Sequence, residues 1–147
     1  IRLEDKTSRL FLLEVISCGR NAHEERFQYR RFSSRVRIYR GEKLIYQDNT
    51  CYEPEKMPME GIGMYEGYTP MANLFLSEIY TGQDSTDKEI NLELQEKIWQ
   101  LLDEEPDTDG GVTRLTTGDL VLRIFVHRAQ TLQQLADKIK KLYEAIH

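Results

Sequence analysis

Histidine and cysteine, the usual protein ligands of zinc and other transition metals, are scarce in this chain. The sequence has three histidines and two cysteines, Cys18 and Cys51, and it contains no CxxC pair. This content excludes a disulfide framework and a closed zinc site, and it fits a reducing cytoplasm. The one group with metal-ligand chemistry is His23 with Cys18, Glu24 and Glu25 close in sequence, so His23 and Cys18 are weak candidates for a transient metal site. We expect no tightly bound cofactor.

Sequence patterns of catalysis and of membrane insertion are also missing. No serine lies in a nucleophile elbow, and neither a P-loop nor a G-x-G-x-x-G follows a strand-like run. The segment from Glu105 begins with the spacing of a calcium loop, but Thr116 stands where the closing glutamate belongs. No apolar run reaches the length of a membrane span. The sequence therefore predicts a protein that is not an enzyme and has no membrane partner.

Positive charge is concentrated in one region, although the chain as a whole is acidic. The net charge is −5, yet seven arginines lie within residues 20–40. Three interpretations of this region stay open. It is a solvated outer face of the sheet, a docking surface for an acidic partner with Arg30, Arg35 and Arg37 as candidate contacts, or an RNA or anionic-ligand surface on the strands of residues 25–40. The acidic total favours the first two and makes a nucleic-acid partner the weaker alternative.

Hydrophobic periodicity predicts an α+β fold with a mainly antiparallel sheet, rich in strands in its N-terminal part and with two helices in its C-terminal part. Residues 1–7 are polar and are expected to be frayed. Residues 35–52 are predicted to form one hairpin and residues 112–126 a second one. The predicted strands cover residues 9–17, 25–32, 35–40, 44–52, 68–80, 112–115 and 120–126.

Two capping boxes, in which a threonine precedes a glutamate or glutamine by three residues, predict where the helices begin. Thr86 with Glu89 opens the first helix, and Thr131 with Gln134 opens the last one. At 147 residues the chain is expected to form a single domain or a fragment of a larger one.

Glu14 interrupts the most apolar strand-like run, residues 10–16. Apolar side chains at successive positions predict a strand that is covered on both faces. A carboxylate there is costly unless a cation meets it, and Arg20 or Arg26 is near enough in sequence to do so. The alternative is that Glu14 faces solvent. We expect a buried or half-buried ion pair that fixes the turn at Gly19.

The segment around this turn resembles a known family. Residues 14–27 carry a glutamate ahead of a Gly-Arg pair, followed by alanine, glutamate, arginine and an aromatic residue, and this order is similar to a segment of the urease accessory protein D family, also called H. Two further features are similar to that family: Gly67 ahead of the apolar strand with Leu74, and the hairpin predicted for residues 112–126. The positions that match its motif are Glu14, Gly19, Arg20, Glu25 and Arg26.

The resemblance implies a fold, a function and partners. It covers all of this chain but only about the C-terminal half of the family's protein. Residues 1–147 would then be the C-terminal portion of a longer β-rich protein. The implied fold is a helically wound stack of strands closed by two helices. It implies a cytoplasmic, non-catalytic scaffold that bridges apo-urease to the accessory F protein and the G GTPase, with nickel in transit. Without the N-terminal strands we expect the chain to self-associate or to bind a partner through Met57, Met59, Met64 and both faces of the 10–16 strand.

Overall fold

Seven strands and two helices make up the part of the chain that a computed structural model describes, namely residues 1–16, 32–52 and 71–146. The prediction of a strand-rich α+β fold with two C-terminal helices is confirmed. The strands are β1 (Arg2–Leu3), β2 (Phe11–Ile16), β3 (Phe32–Arg40), β4 (Lys43–Tyr52), β5 (Met71–Leu76), β6 (Thr108–Arg114) and β7 (Leu120–Val126). The helices are α1 (Asp84–Glu104) and α2 (Ala129–Glu144).

The strands form two sheets. The smaller sheet has the order β1-β3-β4, and the larger one has the order β2-β5-β7-β6 and is antiparallel throughout. Both predicted hairpins are confirmed, β3–β4 and β6–β7, and β6 begins four residues before the predicted strand, at Thr108. The β3–β4 turn contains Gly41 at φ +61°, a backbone conformation that residues with a side chain rarely adopt.

The prediction that residues 1–7 are frayed was wrong for β1. The β1 strand pairs in parallel with the end of β3, and the Tyr39 N–H donates to the Ile1 carbonyl over 2.9 Å. Leu3 explains the pairing, because its side chain is buried between the two sheets against Ile38 and Phe75. A single apolar residue in a polar segment gives too weak a periodic signal for a strand to be predicted.

The larger sheet is the middle layer of the molecule. Leu74 and Leu76 of β5 lie in the main core with the buried faces of α1 and α2, whereas Phe75 packs toward the smaller sheet. Every residue of β5 is buried, which is the pattern of a strand covered on both faces. The helices contribute Leu94, Ile98, Leu102, Leu132, Leu135 and Ile139 to this core.

The strand β2 is covered less completely than its sequence predicts. Phe11 packs against the main core, with its ring centroid 6.1 Å from that of Tyr143. Leu13 and Val15, on the same face as Phe11, are 39% and 52% exposed. The expectation that both faces of this strand are covered is therefore wrong beyond Phe11.

The capping-box predictions were also wrong. The helices begin at Asp84 and Ala129, and neither of the residues before them makes a side-chain capping hydrogen bond. Thr86 and Thr131 are already inside the first turn, where the Thr131 hydroxyl donates to Asp107 over 3.2 Å. The spacing of a capping box is too short a pattern to fix the first residue of a helix.

Two buried polar side chains hold the start of α1 to the segment before it. Asp87 accepts a hydrogen bond from the Thr81 N–H over 3.0 Å, and Asn91 accepts from the Ile79 N–H over 3.0 Å and donates to the Ile79 carbonyl over 2.9 Å. The Thr81 hydroxyl also donates to Asp87. The Asn91 contacts satisfy backbone groups of Ile79 that would otherwise be buried without partners.

The structure bears on two further expectations, that no helix spans a membrane and that no calcium loop forms. Neither helix of the described residues combines the length and apolar composition that crossing a membrane requires. The loop with the initial spacing of a calcium site does not form, because Thr108 to Gly111 lie in β6. Within residues 1–16, 32–52 and 71–146, no group of three or more histidine, cysteine or acidic side chains is placed to hold a metal ion.

Candidate functional site

Glu14 lies in a row of polar side chains that crosses the larger sheet on the face turned toward the smaller one. It is paired across the strands with Asn73 of β5, and Asn73 is paired with Arg123 of β7. The Arg123 Nε donates to the Asn73 Oδ1 over 3.1 Å. From the smaller sheet, the Ser34 hydroxyl donates to the Glu14 Oε2 over 2.7 Å. Glu14 is thus half-buried, and its carboxylate ties the two sheets together.

Two buried polar atoms of this row have no hydrogen-bond partner among the described residues. They are the Glu14 Oε1 and the Asn73 Nδ2. A buried group left without a partner costs about 1–3 kcal/mol, and more if it is charged. One atom is an acceptor and the other a donor, so a single group that donates to Glu14 and accepts from Asn73 would satisfy both. The row is therefore suited to receiving a further polar group.

Tyr46 of β4 lies between the two sheets, and the charges of this space act on the pKa of its hydroxyl. Its ring packs against Phe75, with centroids 5.2 Å apart. Burial raises the pKa of the Tyr46 hydroxyl, the negative charges of Asp48 and Glu14 raise it further, and Arg123 opposes them. Glu14 therefore adds negative potential that a cation entering this space would neutralise.

Most of the residues that the sequence singles out lie outside the described residues, so the proposed partners of Glu14 stay predictions. This holds for Cys18, Gly19, Arg20, His23, Glu25, Arg26, Arg30, Met57, Met59 and Met64.

Arg35 and Arg37 lie on the outward face of β3 and are exposed, as the alternation of the sequence predicts. The residues between and beyond them, Val36 and Ile38, pack inward against the larger sheet. The Arg35 Nε donates to the Asn49 Oδ1 over 3.2 Å, which orients its guanidinium along the neighbouring strand. Two cations two residues apart on one strand face make a short positive row on an acidic protein.

A second charged cluster, which sequence reasoning missed, joins the two sheets at the other end of β3. Asp119 is 1% exposed, and its carboxylate accepts hydrogen bonds from the Glu78 N–H over 2.7 Å and from the Thr117 hydroxyl over 2.6 Å. The Arg40 guanidinium lies 3.8 Å from the same carboxylate. Burial raises the pKa of Glu78, the nearby Asp119 raises it further, and Arg40 opposes them.

Gly118 is needed where this cluster meets the β6–β7 turn. Its φ is +93°, and a Cβ added there would lie 2.7 Å from the Glu78 carboxyl carbon. The sequence signals only a turn at residues 116–119, because Asp119 makes its contacts with Arg40 at the end of β3 and with Glu78 just after β5, both distant in sequence. The cluster contains no histidine or cysteine and fits a structural role, holding the turn against β3.

Comparison with known proteins gives a consistent answer along the whole chain. The family model described as UreD urease accessory protein matches residues 1–147. The chain is 32% identical over 136 residues to the urease accessory protein UreH of Helicobacter acinonychis (strain Sheeba), covering 92% of this chain and 47% of that protein. It is 29% identical over 147 residues to the urease accessory protein UreD of Haemophilus influenzae (strain PittGG), covering 97% of this chain and 52% of that protein.

A third relative, the UreH of Helicobacter pylori (strain J99), is 29% identical over 137 residues, with 92% of this chain and 47% of the relative covered. The chain spans about half the length of these curated relatives. The resemblance expected from residues 14–27 is therefore confirmed over the full length of the chain. This chain belongs to the UreD urease accessory protein family.

Proposed function

We propose that this chain is a non-catalytic scaffold of urease maturation, which bridges apo-urease to the accessory F protein and the G GTPase so that nickel reaches the urease active site. The observation that carries the proposal is the family match over residues 1–147. The relatives are named accessory proteins of urease, and an accessory protein acts on the enzyme it serves rather than on a small substrate. The scarcity of cysteine supports a cytoplasmic location.

The described surface supports a binding role. Arg35 and Arg37 stand exposed on a strand whose inward face is anchored in the core, so a partner would meet a preorganised positive row. Such a row attracts an acidic surface and sets the orientation of the encounter. We propose that Arg35 and Arg37 contact one of the three maturation partners.

Co-purification of separately produced components tests the proposal. The chain is expected to retain at least one of apo-urease, the F protein or the G GTPase, and Arg35→Glu with Arg37→Glu is expected to weaken that retention. A matched control reverses two exposed lysines elsewhere, Lys43→Glu with Lys88→Glu, which change the net charge equally. Retention of none of the three partners would contradict the proposal.

The alternative interpretation, binding of RNA or another anionic ligand by the same arginines, is separated by its salt dependence. An RNA surface built on several cations loses affinity steeply as salt rises, because counterions are released from the phosphates. A scaffold is expected to show no RNA binding at physiological salt. RNA binding that falls steeply with salt and is lost in the arginine double variant would favour the alternative.

A further inference from the structure

A groove between α1 and α2 combines an apolar floor with a positive rim. Its volume is about 440 Å³, and its floor is formed by Leu101 of α1 with Leu142 and Ala145 at the end of α2. Leu101 and Leu142 are half-buried and pack against the main core, so the floor is continuous with the interior. Ala145 is exposed and leaves the groove open at that end.

Three lysines and one glutamate border the floor. Lys97 lies on α1 and contacts Glu93 over 3.0 Å, whereas Lys138 and Lys141 lie on α2 and are exposed. Neither Lys138 nor Lys141 forms an ion pair with another of the described residues. With Glu104 as the one acidic lining residue, the rim is positive on a chain whose net charge is −5.

The α2 wall of the groove is held in place from the opposite side. The Arg9 guanidinium donates to the carbonyls of Tyr143 and Ile146, each over 2.6 Å, and lies over the Tyr143 ring at 4.5 Å. The Tyr143 hydroxyl in turn contacts the Ser77 hydroxyl over 2.7 Å. A wall fixed in this way loses little freedom when a ligand binds, which favours affinity.

We propose that this groove binds an acidic amphipathic helix of a partner protein. Apolar side chains at positions i, i+3, i+4 and i+7 of such a helix would contact Leu101, Leu142 and Ala145, and its flanking carboxylates would meet Lys138 and Lys141. The floor consists of three apolar side chains between two helices, which suits one face of a helix better than a bilayer. The groove and the arginine row of β3 are built from different elements, so this inference goes beyond the proposed function.

Fluorescence anisotropy with a labelled peptide tests the inference. The probe is a designed helical peptide with leucines at those four positions and glutamates on both flanks, compared with a version in which lysines replace the glutamates. The acidic peptide is expected to bind with an affinity that falls as salt rises, and the basic one is expected not to bind. Lys138→Glu with Lys141→Glu should weaken binding about tenfold, or about 1.4 kcal/mol. The charge-matched control, Lys43→Glu with Lys88→Glu, should change it little.

A second pair of variants blocks the floor without changing charge. Ala145→Trp fills the groove and should abolish binding of the acidic peptide, whereas Ala129→Trp, at an exposed alanine at the other end of α2, should not. All variants are compared by circular dichroism, so that a loss of folding is not read as a loss of binding.

Several outcomes would overturn the inference. These are no binding of the acidic peptide, equal binding by the lysine double variant and the original chain, and equal binding of the acidic and basic peptides. Binding to phosphatidylserine vesicles that the lysine double variant loses, without peptide binding, would assign the groove to a membrane surface. Sedimentation showing a dimer that Ala145→Trp dissociates would assign it to a second copy of the chain.

Discussion

Replacing Glu14 by alanine should reveal how much of the inter-sheet contact depends on this carboxylate. The Ser34 hydroxyl donates to it over 2.7 Å, and a hydrogen bond to a charged group contributes about 1.5–3 kcal/mol. Half-burial of Glu14 offsets part of this, because the variant no longer desolvates a carboxylate. If Glu14 has no ion-pair partner, we expect a loss of about 1 kcal/mol.

An ion pair of Glu14 with Arg20 or Arg26 would make the loss of stability in Glu14→Ala larger. Removing one partner of a buried pair costs about 3–5 kcal/mol, because the other charge stays buried. Since Glu14 is half-buried, we expect the lower end, about 3 kcal/mol, which lowers the Tm by about 9 °C at this chain length.

Urea unfolding followed by the fluorescence of Trp99, the one tryptophan, measures this loss. Glu4→Ala, at an exposed carboxylate, is the matched control and should change stability by less than about 0.5 kcal/mol. Double-mutant cycles of Glu14→Ala with Arg20→Ala and with Arg26→Ala then identify the partner. A loss within about 0.5 kcal/mol for Glu14→Ala would refute the reasoning, and coupling to neither arginine would refute the ion pair.

Arg9, Glu78 and the nickel affinity of the chain each allow a further test. Arg9→Ala should cost about 2 kcal/mol in urea unfolding, because two charge-assisted hydrogen bonds at the end of α2 are lost, and Arg9→Lys, which lacks the planar fork, should recover only part of it. The pKa of Glu78 is raised above its ordinary 4.5, so its ionisation opposes folding, and stability falls as pH rises from about that value through the folded-state pKa. Glu78→Gln should therefore stabilise the protein at pH 7 but not below pH 4, and a constant difference across this range would contradict the assignment. Nickel should bind the isolated chain weakly or not at all, and a stoichiometric submicromolar site in calorimetry, abolished by His23→Ala, would overturn the view of the chain as a passive scaffold.

Local periodicity was enough to predict most elements of the described fold. The alternation around Val36 and Ile38 gave β3 and the outward placement of Arg35 and Arg37, and helical spacing of leucines and isoleucines gave α1 and α2. These patterns can be recognised in the sequence because β3, α1 and α2 each bury one face along their length.

Contacts between distant segments could not be predicted in the same way. Leu3 forms a strand only because β3 and β5 offer it a buried position, and Asp119 is buried only because Arg40 of β3 and Glu78, which follows β5, approach it from distant parts of the chain. The contact of Glu14 with Ser34 likewise joins two sheets. A carboxylate in an apolar run signals that a partner is needed, but not which residue supplies it.

Activation of purified apo-urease is the most direct test of the scaffold proposal. The assay contains apo-urease, the F protein, the G GTPase, GTP and nickel, and urease activity is measured with and without this chain. The account predicts a clear rise in activity when the chain is added, a smaller rise with Arg35→Glu and Arg37→Glu, and no loss with the Lys43→Glu and Lys88→Glu control. Equal activity with and without the chain, under conditions in which it retains its partners, would contradict the claim that it acts in urease maturation.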